Sequence, residues 1–513
     1  MKKKLFNIHK LIGVNILLFF FLSLFFGILT IFQPYINLWE DPKKHITHIN
    51  MSDIDFDKCL KQVTKRKYFN EDGTVLKNDI IKIRLPAVEL TSNNLIKINN
   101  RPNFYLDPLT CKKIKNKPFN ISKFFDNIHT GLIFKSIYFK ILFGFMAVAV
   151  VFSSLSGLFM MIKSRYNNKA KSTKAHFAKY HRLLLLYTFP LIFMFGLTGA
   201  LFNLGVYSSP LITHNLTNGE TVNILKVDRN ILVDPDLEIV ESSQKVKNIT
   251  LTELYKKAFN EFEDIRFYAI QVYNYQDINA KVKFIGYEPN NYFISSITNE
   301  SYIVLDANNA KVLDKKMADD GTFTEKTLDA IFYLHYIRTF QDVPRIIFAF
   351  VAMTMLVGLV YAMTLWLSRK NKDAFSYKVL KPLSLTIIVG SLVSASMIFA
   401  SNWLIPKGYI SFTLFDTFYF TQEVIFYLVY IFMFVYVLIQ KEPFKIIKNS
   451  FYLSSILLVI AVLAHNFVGG FTMLETYEKG MYSIFGTDIA LILVAISIFL
   501  FARKLNEKNI GFK

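Results

Sequence analysis

The sequence predicts an all-α polytopic membrane protein with about eight transmembrane helices, an internal duplication in the first four, and two α+β domains outside the bilayer. Three observations carry this reading. Long apolar runs recur along the chain, lysine and arginine concentrate in alternate connecting loops, and a pattern of histidine, glycine and aromatic residues occurs twice.

The apolar runs lie near 11–33, 141–162, 183–206, 346–367, 383–404, 418–439, 451–468 and 486–502. A helix of about 22 residues rises roughly 33 Å, enough for a hydrocarbon core of about 30 Å. With 52% hydrophobic and 16% aromatic residues, the 513-residue chain exceeds what a soluble protein needs. The runs divide the chain into a first span at 1–33, an outer domain at 34–136, spans two and three with a basic loop at 137–206, a second outer domain at 207–344, a fourth span at 345–370, and four further spans at 371–513. Gln33-Pro34-Tyr35-Ile36 offers no small-residue cleavage site, so the first run is expected to remain as a span.

The net charge of +20 suggests nucleic acid until its location is considered. With the N-terminus inside, the inner segments 2–10, 163–182, 368–382, 440–450 and 503–513 hold twenty-three lysines and arginines against Asp373, Glu442 and Glu507. That difference equals the whole excess. The short outer loops 405–417 and 469–485 carry only Lys407 and Lys479 as cations. This positive-inside asymmetry places both termini in the cytoplasm and leaves no support for nucleic-acid binding. No Cys-x-x-Cys-His is present, which excludes c-type haem attachment, and no Gly-rich dinucleotide fingerprint follows a strand.

Each outer segment reads as helix, strand, strand and an aromatic-to-Asp turn. In the first, Ser52-x-x-Asp55 opens a helix with the stripe Phe56, Leu60 and Val63; strands follow at 80–85 and 95–98, then the turn at 105–112. In the second, Thr250-x-x-Glu253 opens a helix with the stripe Leu254, Ala258 and Phe262; strands follow at 267–273 and 282–286, then the turn at 302–311. Cys59 and Cys111 both fall in the first segment, where an oxidising periplasm favours a disulfide.

The spans repeat as well. An offset of 172 aligns His9 with His181, Leu11 with Leu183, Phe21 with Phe193, Gly27 with Gly199, Leu29 with Leu201 and Tyr35 with Tyr207. His129 precedes Ser164-Arg165 much as His335 precedes Ser368-Arg369. Four histidines therefore occupy related positions, His9 and His181 near the inner face, His129 and His335 near the outer. Facing each other across a bundle axis, they would supply two bis-imidazole sets, the usual axial ligands of an electron-transfer haem. Lys10 and Arg182 inside, with Lys135, Lys140, Arg338 and Arg345 outside, are candidates for pairing with haem propionates. His176 is an alternative to His181 outside the repeat, His45 and His48 read as solvated, and His214 has no repeat partner. His465, Gln422, Glu423 and Asp488 lie in the last four spans, where helix–helix contact and a proton or ion path both remain open.

Over roughly 1–370 the sequence resembles the PepSY-associated transmembrane helix family of bacterial inner-membrane proteins, which includes ferrisiderophore reductases. The likeness rests on His9 with Gly27, His181-Arg182 with Thr198-Gly199, Leu334-His335 with Trp366-Leu367-Ser368-Arg369, and the two PepSY-like outer units. It implies b-type haem and electron transfer to a periplasmic ferric chelate during iron uptake. The two histidine pairs make that two haems, and because no inner loop is long enough to bind a nicotinamide, the expected donor is a membrane quinol or a separate flavoprotein. An iron or chelate permease, and a non-enzymatic PepSY sensor or inhibitor, remain as alternatives. Residues 371–513 depart from the four-span reductases.

Overall fold

The computed structural model describes residues 2–47, 49–64, 80–86, 94–99, 104–115, 119–162, 172–219, 222, 237, 240, 242, 244–288, 299–337, 342–405, 412–414 and 417–506. Seven of its helices are long and apolar enough to cross a membrane: Lys3–Ile31, Ile137–Ile162, Asp342–Ser368, Phe375–Leu404, Thr421–Gln440, Pro443–Val468 and Tyr482–Lys504. Thr173–Tyr187 and Phe189–Gly205, bent by 69°, pass together, which gives up to eight spans if the pair is one broken span. The bend has a local cause. Pro190 lacks an N–H and its ring opposes the preceding turn, so the first segment ends at Tyr187 and the second starts afresh with proline in its first turn. The chain is thus a multi-pass helical membrane protein, and its seventh and eighth runs are full helices of 26 and 23 residues.

The strands of both long connecting segments join into one antiparallel sheet. Its members are β1 (Ile80–Arg84), β2 (Ile96–Ile98), β3 (Phe104–Leu106), β4 (Lys113–Ile114), β5 (Arg266–Tyr273), β6 (Lys281–Tyr287), β7 (Ser301–Asp306) and β8 (Val312–Lys316). The order β4-β3-β2-β1-β5-β6-β7-β8 runs outward in sequence on either side of the β1–β5 pair. That pair is in register over five residues, from Ile80 opposite Tyr273 to Arg84 opposite Ala269. Strand alternation decides which residues share a face. Ile81, Ile83, Ile96 and Ile98 are buried beneath helices Phe56–Thr64 and Leu251–Glu261, and Lys82, Arg84 and Lys97 alternate with them.

The two helices on that sheet are capped across units. Thr250 caps the second as its sequence predicts, while Asp57 of the first accepts from the backbone N–H of Leu251 and Thr252 at 2.7 and 3.1 Å. The first helix departs from expectation. Asp55, not Ser52, accepts from the Lys58 N–H at 2.9 Å, because Ser52 belongs to a separate short 3₁₀ turn. Phe56 and Leu60 are buried as the stripe requires; the Val63 side chain lies outside the described residues. Both aromatic-to-Asp turns close alike. Asp107 and Asp306 each accept backbone N–H groups two and three residues on, and the residue after the turn, Cys111 or Ala310, takes positive φ. Cys111 is bridged to Cys59, fastening the turn to helix Phe56–Thr64 with a Cα–Cα distance of 4.9 Å.

The last four spans pack against the first through residues just after helix Lys2–Ile31. Trp39, fully buried, meets Phe399 and Trp403 edge-on with ring centres 5.8 and 5.3 Å away. The next residue, Glu40, is buried and accepts from the N–H of Ile121 and Ser122, the first turn of helix Ile121–His129. A carboxylate there satisfies otherwise unpaired donors and favours the helix dipole. The C-terminal extension is therefore tied to the helix whose last residue is His129.

Candidate functional site

Each of the four repeat-related histidines is aimed by a hydrogen bond at Nδ1. His129 ends helix Ile121–His129, and its Nδ1 lies 2.8 Å from the Ser23 carbonyl. The Ser23 hydroxyl donates to the His129 carbonyl at 2.9 Å, so the ring N–H is the donor to the backbone oxygen. His335, in helix Phe323–Tyr336, lies 2.6 Å from Thr198 Oγ1, a hydroxyl that itself donates to the Met194 carbonyl at 2.7 Å. His9 reaches the Ser153 carbonyl at 3.1 Å and Ser156 Oγ at 3.0 Å, and Ser156 donates to that same carbonyl. His181 reaches the Gly358 carbonyl at 3.4 Å. All four acceptors therefore fix the proton on Nδ1 and leave Nε2 as the lone-pair nitrogen. Among the described residues, no protein group hydrogen-bonds to any of these four Nε2 atoms.

The structure brings these histidines together in pairs. His9 and His181 have ring centres 6.4 Å apart, and His129 and His335 6.3 Å apart. A metal held by one nitrogen of each ring, at roughly 2 Å per bond, separates opposed imidazole centres by about 6 Å. Nδ1 bonded to a carbonyl or hydroxyl is also the usual outer support of a metal-bound imidazole.

Each pair opens on a cavity. That of His9 and His181 has a volume of about 610 Å³, and its wall is mainly apolar. That of His129 and His335 has a volume of about 710 Å³ and reaches the underside of the sheet. Glycines keep the rings in place. A Cβ on Gly27 would lie 2.9 Å from His129 Nδ1, and one on Gly157 3.3 Å from His9 Cε1. Phe20 and Val150 line both cavities, so the two lie on either side of these residues. Along the first helix, His9 and Ser23, which holds His129, are fourteen residues apart, about 21 Å. The ligand pairs are thus closer than the full thickness of the hydrocarbon core.

The cationic candidates divide. Lys10 and Arg182 line the His9 cavity, with Arg369 and Lys370. Arg345 and Lys140 line the His129 cavity; Arg345 is buried, donating to the Ile31 carbonyl at 2.8 Å with its guanidinium 5.7 Å from the Tyr35 ring centre. Lys135 is engaged elsewhere, paired with Glu423 at 2.9 Å and bonded to the Phe418 carbonyl. Arg338 and His48 lie outside the described residues, as does Ser164-Arg165. His176 lies against Tyr180, ring centres 4.5 Å apart and tilted by 52°, and takes no part in the pair beside it.

These residues fit haem. Two imidazoles at this spacing, a cavity at each pair, and cations in each cavity wall match the needs of a bis-histidine haem with its carboxylates. Sequence reasoning named Thr198 only as part of the family likeness, without its role, and missed the other groups that hold the rings: Ser23, Ser153, Ser156 and the Gly358 carbonyl. Their signal is faint, a hydroxyl or a glycine inside an apolar span.

Where the extension meets the segment after the first span, one expectation changes and one open reading gains a partner. His45 is not solvated: it is buried, its Nε2 3.3 Å from the Trp39 carbonyl and its ring 5.3 Å from that of His465. His465 has a partner invisible in sequence, with Nδ1 2.9 Å from both Asp488 oxygens. Asp488 also accepts from Trp39 Nε1 at 2.7 Å.

No curated protein matches the chain. A family model, described as the PepSY-associated TM region, matches residues 6–369, a stretch that contains all four paired histidines and both halves of the sheet. By that match, the chain belongs to the family of the PepSY-associated transmembrane region.

Proposed function

We propose that this is a bacterial inner-membrane b-type haem protein that moves electrons outward to reduce periplasmic ferric chelates, with His9 and His181 holding an inner haem and His129 and His335 an outer one. The observation that carries the reading is the geometry of the pairs: ring centres 6.3 and 6.4 Å apart, each ring tethered at Nδ1 with Nε2 unclaimed by protein. Bound haem supplies a reversible one-electron carrier at each pair. A haem held by two imidazoles would favour electron transfer over oxygen binding.

The chain's own residues do the rest. Ser23, Thr198, Ser153 and Gly358 hold the ligand tautomers. Lys10 and Arg182 on the inner side, with Arg345 on the outer, would neutralise propionates. Phe20 and Val150, which line both cavities, would lie between the two carriers. The positive-inside charge pattern supports an orientation with His9 and His181 toward the cytoplasm, where a membrane quinol or a separate flavoprotein would deliver electrons, and with the sheet in the periplasm. A ferric chelate in the cavity beneath the sheet would take one electron per iron, and Fe(II) is held far less tightly by hard oxygen donors. The offset of 172 residues and the outward strand order on both sides of β1–β5 fit a duplicated ancestor with the two histidine pairs on its pseudo-twofold.

The test is a reduced-minus-oxidised spectrum with haem quantitation on purified protein. The expected result is two haems per chain in the wild type and one in His181→Ala or His335→Ala. Wild-type protein without haem, or full haem content in both variants, refutes the assignment. Sealed vesicles then test direction, since the reduced protein should be reoxidised by ferric chelate on the outer face only.

A further inference from the structure

The underside of the sheet holds a pair of like charges with no acidic partner among the described residues. The β1–β2 register sets Arg84 directly opposite Lys97, and the β2–β3 register sets Lys97 opposite Tyr105. Like charges directly opposite across strands destabilise a sheet. The cost is raised by enclosure: burial, and then the charge of Arg84, hold the Lys97 ammonium below its usual range. Among the described residues neither cation has an acidic partner; the ion pairs present involve other lysines and His465. Arg84 instead lies 5.7 Å from the Tyr268 ring centre and Lys97 6.0 Å from that of Tyr105.

Both side chains line the same cavity as His129 and His335. The one acid in that wall, Asp126, is paired with Lys123 at 2.5 Å. Arg345 and Lys140, on the spanning helices, suffice for the two carboxylates of one haem. The sheet pair is left over. A repulsive, partly enclosed arrangement of this kind is stabilised when an anion enters it, because each charge then gains a charge-assisted hydrogen bond.

We propose that Arg84 and Lys97 form an anion-recognition subsite on the face of the sheet turned to the outer histidine pair, and that the ferric chelate received there is an anionic one, its carboxylate-type oxygens lying between the two side chains beside Tyr105. The proposal rests on the reading above and narrows its acceptor to chelates with a net negative charge. It also accounts for the register. Replacing either cation by a neutral residue relieves the sheet while weakening the ligand, the usual opposition between stability and a built site.

The experiment uses redox-inert gallium, so that binding is read apart from electron transfer. Full-length haem-loaded protein in detergent is titrated calorimetrically with Ga(III)–citrate and with the neutral Ga(III) tris-acetohydroxamate. The anionic complex is expected to bind, more weakly as salt is raised. Arg84→Gln and Lys97→Gln should each weaken it about tenfold, the loss of one charge-assisted bond. The neutral complex should change by less than about twofold, and the melting temperature of both variants should hold or rise. Three results overturn the proposal: no binding of Ga(III)–citrate, unchanged affinity in both variants, or an equal loss for the neutral complex. Free citrate binding as tightly as its gallium complex also overturns it, since the site would then be a general carboxylate site. Haem content is measured on the same samples. Wild-type protein lacking haem would sink the electron-transfer reading alone, because the gallium titration still reports on the anion site.

Discussion

Thr198 holds His335 at its outer ring nitrogen: the hydroxyl oxygen lies 2.6 Å from Nδ1 and donates its own hydrogen to the Met194 carbonyl at 2.7 Å. With its hydrogen committed, the oxygen can only accept, so the imidazole must carry its proton on Nδ1. Thr198→Val keeps the shape and removes the acceptor. The expected outcome is a 10–100-fold weaker hold on the outer haem, the usual cost of losing such a support. Haem titration of the apoprotein checks this, with the inner haem as internal control. Thr198→Ser should restore the wild-type value, which a purely steric role for the threonine methyl would not allow.

Gly27 and Gly199 align in the sequence repeat, yet the structure separates their tolerance. A Cβ on Gly27 would lie 2.9 Å from His129 Nδ1, below any real contact, whereas one on Gly199 would lie 3.8 Å from His335 Cε1. The nearest neighbour of Gly27 is a ring fixed by the Ser23 carbonyl, so it cannot swing aside without losing that bond. Gly27→Ala should therefore purify with about one haem per chain and Gly199→Ala with about two. Equal haem contents in the two variants would contradict the packing argument.

The spans and the histidine pairs were legible because membrane insertion leaves little freedom. Charge-free runs must cross, basic loops must stay on one side, and an offset that aligns His9 with His181 places them at one depth. What joins distant segments was not legible. Nothing local to Ile80–Arg84 or Arg266–Tyr273 says that β1 pairs with β5, since each merely alternates. The bend at Thr188 was written in Phe189-Pro190, but one apolar run on both sides masked it. Asp488 and His465 sit on different spans and become a pair only through packing. His45 looked solvated because its neighbours Lys43, Lys44 and Ile46 describe a loop, and its burial comes from the extension closing over it.

That burial gives His45 a pH signature. Desolvation, then the neighbouring His465, lowers its pKa from 6.5 to about 4. The fold therefore prefers neutral His45. Between pH 6.5 and 4 the unfolded chain binds the extra proton and the folded chain does not. The stability it contributes is complete above about 6.5 and is lost as pH falls toward 4. The bound on the effect is about 3 kcal/mol, from a shift of this size. Thermal melts in detergent from pH 7 to 4 should show the wild type losing stability faster than His45→Phe. Parallel curves would assign the acid sensitivity to other groups.

Asp488 supports the sharpest prediction about the extension. Its carboxylate is fully buried and accepts from His465 Nδ1 at 2.9 Å and from Trp39 Nε1 at 2.7 Å, joining the last span to the seventh and to the segment after the first. Removing one member of such a set strands the others, because a buried donor left unpaired loses its bond without regaining water. Asp488→Leu should thus cost about 2–5 kcal/mol, with two buried donors left unsatisfied at roughly 1–3 kcal/mol each. His465→Leu alone leaves the carboxylate with the indole as its one donor from this set and should cost a comparable amount. The double variant Asp488→Leu, His465→Leu leaves only the indole N–H unsatisfied. It should cost clearly less than the two single losses combined, by a coupling of about 1–3 kcal/mol. Because residues 370–513 lie outside the stretch that carries the paired histidines, haem content should stay at two per chain in all three variants while the melting temperature falls. Additive losses would mean that the pair is incidental to packing. Loss of the outer haem alone would instead show that the hold passes from Trp39 to Glu40, and so to the helix ending in His129.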